Sequence, residues 1–159
     1  HEHQTVSIAF NDSNVYFKLA NISMVSRLID ERYPDYENVI PANNTNKLTI
    51  NRVSFLSSLK RIAIYSNRTT HQIKLSIAGS ELHIFAEDFD FSNEANERLT
   101  CEYEGDDLEI GFNAKYLLEI ASQVDRENAV FLFNSSGDPT LMREGNDTSA
   151  VYVVMPMRV

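Results

Sequence analysis

The chain has 159 residues, a formal net charge of −9 and a single cysteine, Cys101. That length suits one ordinary domain plus an extension, and the apolar content is ample for a core. One cysteine excludes an intrachain disulfide, and with no basic-then-apolar leader and no apolar run long enough to cross a bilayer, a soluble chain is expected. Taken alone, the acidic balance argues against nucleic-acid binding, because duplex affinity comes largely from Lys and Arg neutralising phosphates.

In chain order, Val6 to Phe10, Val15 to Leu19 and Ile22 to Leu28 read as short strands separated by Asn-, Asp- and Ser-rich turns. Pro34 and Pro41 bracket an extended connector, and the Asn-rich stretch from Ala42 to Asn46 is the best domain boundary, giving units 1–41 and 42–159. Lys47 to Ile50 is a strand. From Arg52 to Asn67, the residues Phe55, Leu56, Leu59, Ile62 and Ala63 fall on one helical face, which predicts a basic amphipathic helix. Strands follow over Gln72 to Ala78, Glu81 to Glu87, Glu97 to Glu104 and Leu108 to Phe112. Asn113 is a candidate N-cap for a helix reaching about Asp125. Ala129 to Phe133, Thr140 to Arg143 and Ala150 to Val154 complete the strands. The run Val6-Ser-Ile-Ala-Phe-Asn-Asp-Ser echoes Ala129-Val-Phe-Leu-Phe-Asn-Ser-Ser, each followed by two more strands, which points to a repeated module. The pattern as a whole is that of an α+β domain.

Charge is unevenly distributed. No Asp or Glu occurs from Asn38 to Ser80, where Lys47, Arg52, Lys60, Arg61, Arg68 and Lys74 lie, whereas Glu81 to Glu109 holds eleven acids against Arg98 alone. Such polarity would let one face attract a phosphate backbone while another repels it. Catalytic signals are weak. Asp88 and Asp90, with Glu87 beside them, are the best candidate for paired carboxylates, but acids packed this densely in a strand-turn region read as a solvated face. His1 and His3 lie at the chain end, His71 and His83 are isolated, and no Cys/His cluster has metal-ligand spacing. There is no glycine-rich phosphate loop, and nothing requires a cofactor. Six Asn-x-Ser/Thr triplets, at Asn11, Asn21, Asn43, Asn67, Asn134 and Asn146, are what an Asn- and Ser-rich composition yields by chance. The opening residue His1, with a strand soon after it, reads as the start of a piece of a longer protein.

The end of the chain is the most informative segment. Val151 to Val154 reads as a buried strand that Pro156 terminates, so the tail from Met155 to Val159 should leave the sheet. Two methionines flanking a proline make a deformable, polarizable surface suited to a promiscuous groove. The plainer alternative is a last strand with a frayed end.

Three segments together resemble the bacterial DNA polymerase III beta subunit, the sliding-clamp family. The ending Val154-Met-Pro-Met-Arg-Val159 is similar to that family's carboxyl terminus. Arg27-Leu-Ile-Asp-Glu-Arg-Tyr-Pro-Asp-Tyr36 resembles the segment closing its middle domain, and Ile110-Gly-Phe-Asn-Ala-Lys-Tyr-Leu117 the strand-to-helix corner of its last domain. The resemblance implies the DNA-clamp fold, with antiparallel sheets outside and helices facing a central hole. It implies a non-catalytic, cytoplasmic processivity factor: a head-to-tail dimeric ring that encircles duplex DNA without regard to sequence and tethers polymerase, clamp loader and repair proteins. By the same carry-over, Arg52, Lys60, Arg61 and Arg68 face DNA, and Ile64 and Tyr65 meet the neighbouring protomer. A partner-peptide groove, which in the family receives a short Gln- and Leu-containing peptide, would use Pro34, Val39, Thr70, Asn113, Tyr116, Gly137, Pro139, Val153, Val154, Met155, Pro156, Met157, Arg158 and Val159. Asn38 stands where the family commonly has a basic residue, and Thr70 where an aromatic can occur. Because the chain matches only the end of the middle domain and the last domain, it is expected to be mostly monomeric and to bind groove peptides weakly or not at all. The rival from another class is a stand-alone β-rich interaction or adhesion domain, which accounts for the acidic balance and Asn-rich turns but not for three ordered segments.

Overall fold

The computed structural model describes residues 5–144 and 149–159. His1, His3 and the triplet at Asn146 lie outside the described residues. The chain divides into two compact units, His1–Asp35 and Tyr36–Val159.

The first unit is a three-stranded antiparallel meander of β1 (Ser7–Phe10), β2 (Asn14–Leu19) and β3 (Ile22–Arg27). Asn11 closes the first turn by accepting from the amides of Ser13 (3.0 Å) and Asn14 (2.8 Å) through Oδ1, an Asx turn that explains why an asparagine stands there.

The second unit contains β4 (Asn46–Asn51), α1 (Arg52–Ile62), β5 (Gln72–Ala78), β6 (Glu81–Asp88), β7 (Asn93–Thr100), β8 (Glu102–Glu104), β9 (Leu108–Asn113), α2 (Ala114–Gln123), β10 (Asn128–Phe133), β11 (Thr140–Glu144) and β12 (Tyr152–Val154). Single 3₁₀ turns lie at Tyr36–Val39 and Ala63–Tyr65. The strands form a five-stranded sheet, β12-β11-β10-β4-β8, and a four-stranded sheet, β7-β6-β5-β9, with antiparallel pairing throughout. The meander β10-β11-β12 has the same connectivity as β1-β2-β3, so the sequence echo extends to the fold.

Period-two burial explains β4, β5 and β6. Ile73, Leu75 and Ile77 of β5 and Leu82, Ile84 and Ala86 of β6 alternate inward, as do Leu48 and Ile50 of β4. The helices obey the 3.6-residue period: Phe55, Leu59 and Ile62 on α1 and Ala114, Leu117 and Ala121 on α2 are buried, and all join one cluster with both sheets. Phe131 of β10 meets Phe55 edge-on at 5.4 Å and stacks on Phe133 at 5.9 Å. The connector is clipped down by Asn44, whose Nδ2 donates to the carbonyls of Leu132 (2.8 Å) and Pro139 (2.9 Å).

Three expectations need correction. The helix predicted from Arg52 to Asn67 stops at Ile62 and tightens into the 3₁₀ turn Ala63–Tyr65. Ser66 then ends it by donating its hydroxyl to the Ala63 carbonyl (2.8 Å), and Asn67 starts a turn of its own. The strand predicted over Glu97 to Glu104 is two strands in different sheets. Their break is the buried Cys101, whose amide donates to the Ser80 carbonyl (2.9 Å) before the chain crosses to pair with β4. Burial pushes the Cys101 thiol up, so it packs as a small apolar side chain. Lastly, the linear separation of charge is only partly kept, because folding lays half of the basic residues against the acidic segment. Lys47 meets Glu104 (3.2 Å), Lys74 meets Glu109 (3.6 Å) and Arg61 meets Glu97, each joining the basic segment to the acidic one. Among the described residues, no helix is long and apolar enough to cross a membrane.

Candidate functional site: the carboxy-terminal tail and its cavity

β12 pairs with β11 through Val154, after which Pro156, lacking an amide hydrogen, cannot extend the ladder. The tail does leave that sheet, but it is not frayed. The Met157 amide donates to the Gly111 carbonyl (2.8 Å), forming an isolated antiparallel bridge on the outer edge of β9, and Gln72 Nε2 donates to the Arg158 carbonyl (2.8 Å). The tail therefore steps from the five-stranded sheet to the four-stranded one.

Where it crosses, a cavity of about 550 Å³ opens between α2 and β12, lined by Tyr116, Glu119, Ile120, Val151, Tyr152, Val153, Val154 and Met155. Asn113 sets the helix that forms one wall: its Oδ1 caps α2 by accepting from the Lys115 amide (2.9 Å). That cap aims the first turn so that Tyr116 is 58 % exposed opposite Met155, itself 57 % exposed. An aromatic ring and a thioether left open to solvent around a concave apolar surface are what an extended apolar ligand needs for anchoring.

The structure thus brings together Tyr116, Val153, Val154 and Met155 of the expected groove. Thr70 and Val159 line a different cavity of about 300 Å³ with Gln72, Ile73, Lys74, Phe85, Glu87 and Phe89. Val39 is exposed in the first 3₁₀ turn, Gly137 and Pro139 lie in the β10–β11 connection, and Pro34 belongs to the first unit. Sequence reasoning left Val151, Tyr152, Glu119 and Ile120 out of the groove, although Glu119 and Ile120 sit three and four residues beyond Tyr116 on one helix face.

Asn67 organises the neighbouring loop. Its Oδ1 accepts from the amides of Thr69 (2.9 Å) and Thr70 (3.2 Å), while its Nδ2 donates to Asp88 Oδ1 (3.4 Å) and Asp90 Oδ2 (3.3 Å). Asp88, only 3 % exposed, occupies an inward position of β6 and also accepts from the Asp90 amide (3.0 Å). The carboxylates singled out for acid–base work are therefore held inside a turn network. Just before that loop, Ile64 is 77 % exposed and Tyr65 43 % exposed.

Of the four cations expected to face DNA, Arg61 is neutralised by a two-pronged bond to Glu97, with Nε to Oε1 at 2.6 Å and Nη2 to Oε2 at 2.5 Å. Arg52 donates Nε to the Arg126 carbonyl (3.3 Å), Arg68 lies over the Phe91 ring (5.1 Å), and Lys60 is exposed at the end of α1. Among the described residues none of these three has a carboxylate partner in an ion pair.

The Arg61 hydrogen bond holds the Glu97 carboxyl below its ordinary range against the opposing effect of burial. A carboxyl lowered in the fold stabilises it above the unfolded group's pKa, and that contribution is lost as pH falls through the folded one. Urea titrations of the native chain and Glu97→Gln across the acid range should therefore converge as pH drops. A gap between the two that stays constant from neutral to strongly acid pH would show that the ion pair contributes nothing.

Comparison with known proteins decides the family. Residues 37–158 match the family described as DNA polymerase III beta subunit, C-terminal domain. The chain belongs to the DNA polymerase III beta subunit family. It is 31 % identical over 156 residues to the beta sliding clamp of Caulobacter vibrioides (strain NA1000 / CB15N), covering 98 % of this chain and 42 % of that one. With the beta sliding clamp of Pseudomonas putida KT2440 it shares 32 % identity over 154 residues, covering 97 % of this chain and 42 % of the relative. Among solved structures, the beta subunit from Bartonella birtlesii bound to griselimycin superposes with a TM-score of 0.88 at 36 % identity, covering 97 % of this chain and 41 % of that chain. The DNA polymerase sliding clamp from Pseudomonas aeruginosa, solved with a ligand, gives 0.86 at 32 % identity, covering 97 % and 42 %. The chain thus spans well under half the length of the beta subunits it matches. Family membership favours the clamp over the adhesion reading, and the α+β fold agrees with it.

Proposed function

We propose that this chain supplies the last domain, and the end of the one before it, of a sliding clamp. The clamp would be a non-catalytic ring around duplex DNA, working in the cytoplasm and holding polymerase and other partners through short peptides. The observation that carries the reading is the cavity between α2 and the tail, where Tyr116, Val153, Val154 and Met155 present apolar surface to an open mouth. Apolar anchors entering such a pocket carry most of the affinity of a short peptide. The solvent-facing Ile64 and Tyr65, beside the edge strand β7, fit contact with a neighbouring protomer. Arg52, Lys60 and Arg68 fit weak contact with a phosphate backbone, which suffices because a closed ring is retained by topology, not by affinity.

The test is fluorescence anisotropy of a labelled Gln- and Leu-containing peptide titrated with the native protein carrying this chain. The same protein lacking Met155 to Val159 should bind at least about thirtyfold more weakly, ~2 kcal/mol. Equal affinity of the two, or no binding by the intact folded protein, would refute the groove.

A further inference from the structure

We propose that Gly111 and Gln72 are positioning residues for partner binding: they hold the end of the tail on β9 and thereby set the mouth of the cavity between Met155 and Tyr116. The inference rests on the groove reading above and names residues outside the cavity lining.

Both walls of the cavity are referenced to one short piece of sheet. On one side β9 runs through Gly111, Phe112 and the cap Asn113 straight into α2, which carries Tyr116. On the other side the tail returns to Gly111 itself, so that only Pro156 separates Met155 from the bonded Met157. Pro156 restricts the chain further, since its ring fixes φ. With both ends tied to β9, the separation of ring and thioether is set by a few residues on each side. Without the tie, the five residues after β12 would fray and Met155 would lose its place.

Gly111 is required there by space. A Cβ built on it would lie 2.8 Å from the Met157 carbonyl oxygen and 3.0 Å from Val159 Cγ1. The first contact is with backbone that cannot swing aside while the Met157 amide stays bonded to the Gly111 carbonyl. Gln72 gives the second tie from β5, where it is the register partner of Asn113, the cap of α2. Its amide is the donor that the Arg158 carbonyl receives, and a carboxylate at the same position could only accept.

The experiment compares the native protein with Gly111→Ala and Gln72→Glu by three measurements: anisotropy with the labelled peptide, hydrogen exchange at the Met157 amide, and thermal unfolding. The expected result is loss of Met157 protection in both variants. Peptide binding should weaken about tenfold in Gly111→Ala and about three- to tenfold in Gln72→Glu, with the Tm of Gln72→Glu nearly unchanged. If Gly111→Ala fails to fold, the half-exposed Gln72 position decides. A released tail with unchanged affinity would overturn the inference and leave the groove standing, as would weakened binding with the Met157 amide still protected. An intact, folded native protein that binds no peptide would remove the groove and this inference with it.

Discussion

Phe131→Ala is expected to lower the free energy of unfolding by about 3–5 kcal/mol, read by urea or guanidinium denaturation. Phe131 is fully buried where the five-stranded sheet meets α1, edge-on to Phe55 and stacked on Phe133. Its loss removes a large transfer contribution and two ring contacts, and neighbours held by strand pairing on both sides of β10 cannot collapse into the space. A domain of this size has only about 5–15 kcal/mol in hand, so the variant should sit near the edge of folding at 37 °C. A loss below about 1 kcal/mol would mean that the aromatic cluster is not a single packed unit.

Asn67→Ala is expected to cost about 2–4 kcal/mol and to act locally first. The side chain serves two amides and two carboxylates at once, so alanine leaves Thr69 and Thr70 without their turn acceptor. Asp88 is left almost fully buried with the Asp90 amide as its remaining donor. The cost of an under-bonded buried carboxylate dominates, because the group loses water without full compensation. The same turn holds His71 at a φ of 52°, a left-handed conformation that a histidine adopts only when its surroundings impose it. Amide exchange over residues 66–71 and the β6–β7 turn should therefore quicken before global unfolding does. Uniform destabilisation with no local change would contradict the network.

Local periodicity made most elements legible in the sequence. The inward alternation of β5 and β6, the helical spacing of Phe55, Leu59 and Ile62, and the cap at Asn113 are set by neighbouring residues, so a sequence pattern carries them. What escaped was set by residues far apart in sequence. Nothing about Glu97 to Glu104 signals that Cys101 will change sheets, because alternation continues on both sides of the break and only the partners, β6 before and β4 after, reveal it. The charge pattern misled for the same reason: Lys47 and Glu104 are 57 positions apart in sequence yet are register partners. At the site, Tyr116 was singled out only through the family resemblance, whereas Met155 was also marked by the two methionines flanking Pro156. The return of the tail to Gly111 depends on the absence of a side chain in a strand that otherwise looks ordinary.

The two sheets of the second unit are stitched to each other at two seams of unequal strength. At one, the chain runs on through Cys101 from β7 to β8, and separating the edges there means pulling a buried residue out of the core. At the other, the edges β12 and β9 are joined by the chain's final residues and two hydrogen bonds. Opening the first seam is comparable to unfolding, whereas the second can open at a small fraction of the global free energy. Breathing of this domain is thus expected to be directional, beginning at the seam that borders the cavity, and a ligand bridging Tyr116 and Met155 would close the side expected to open first.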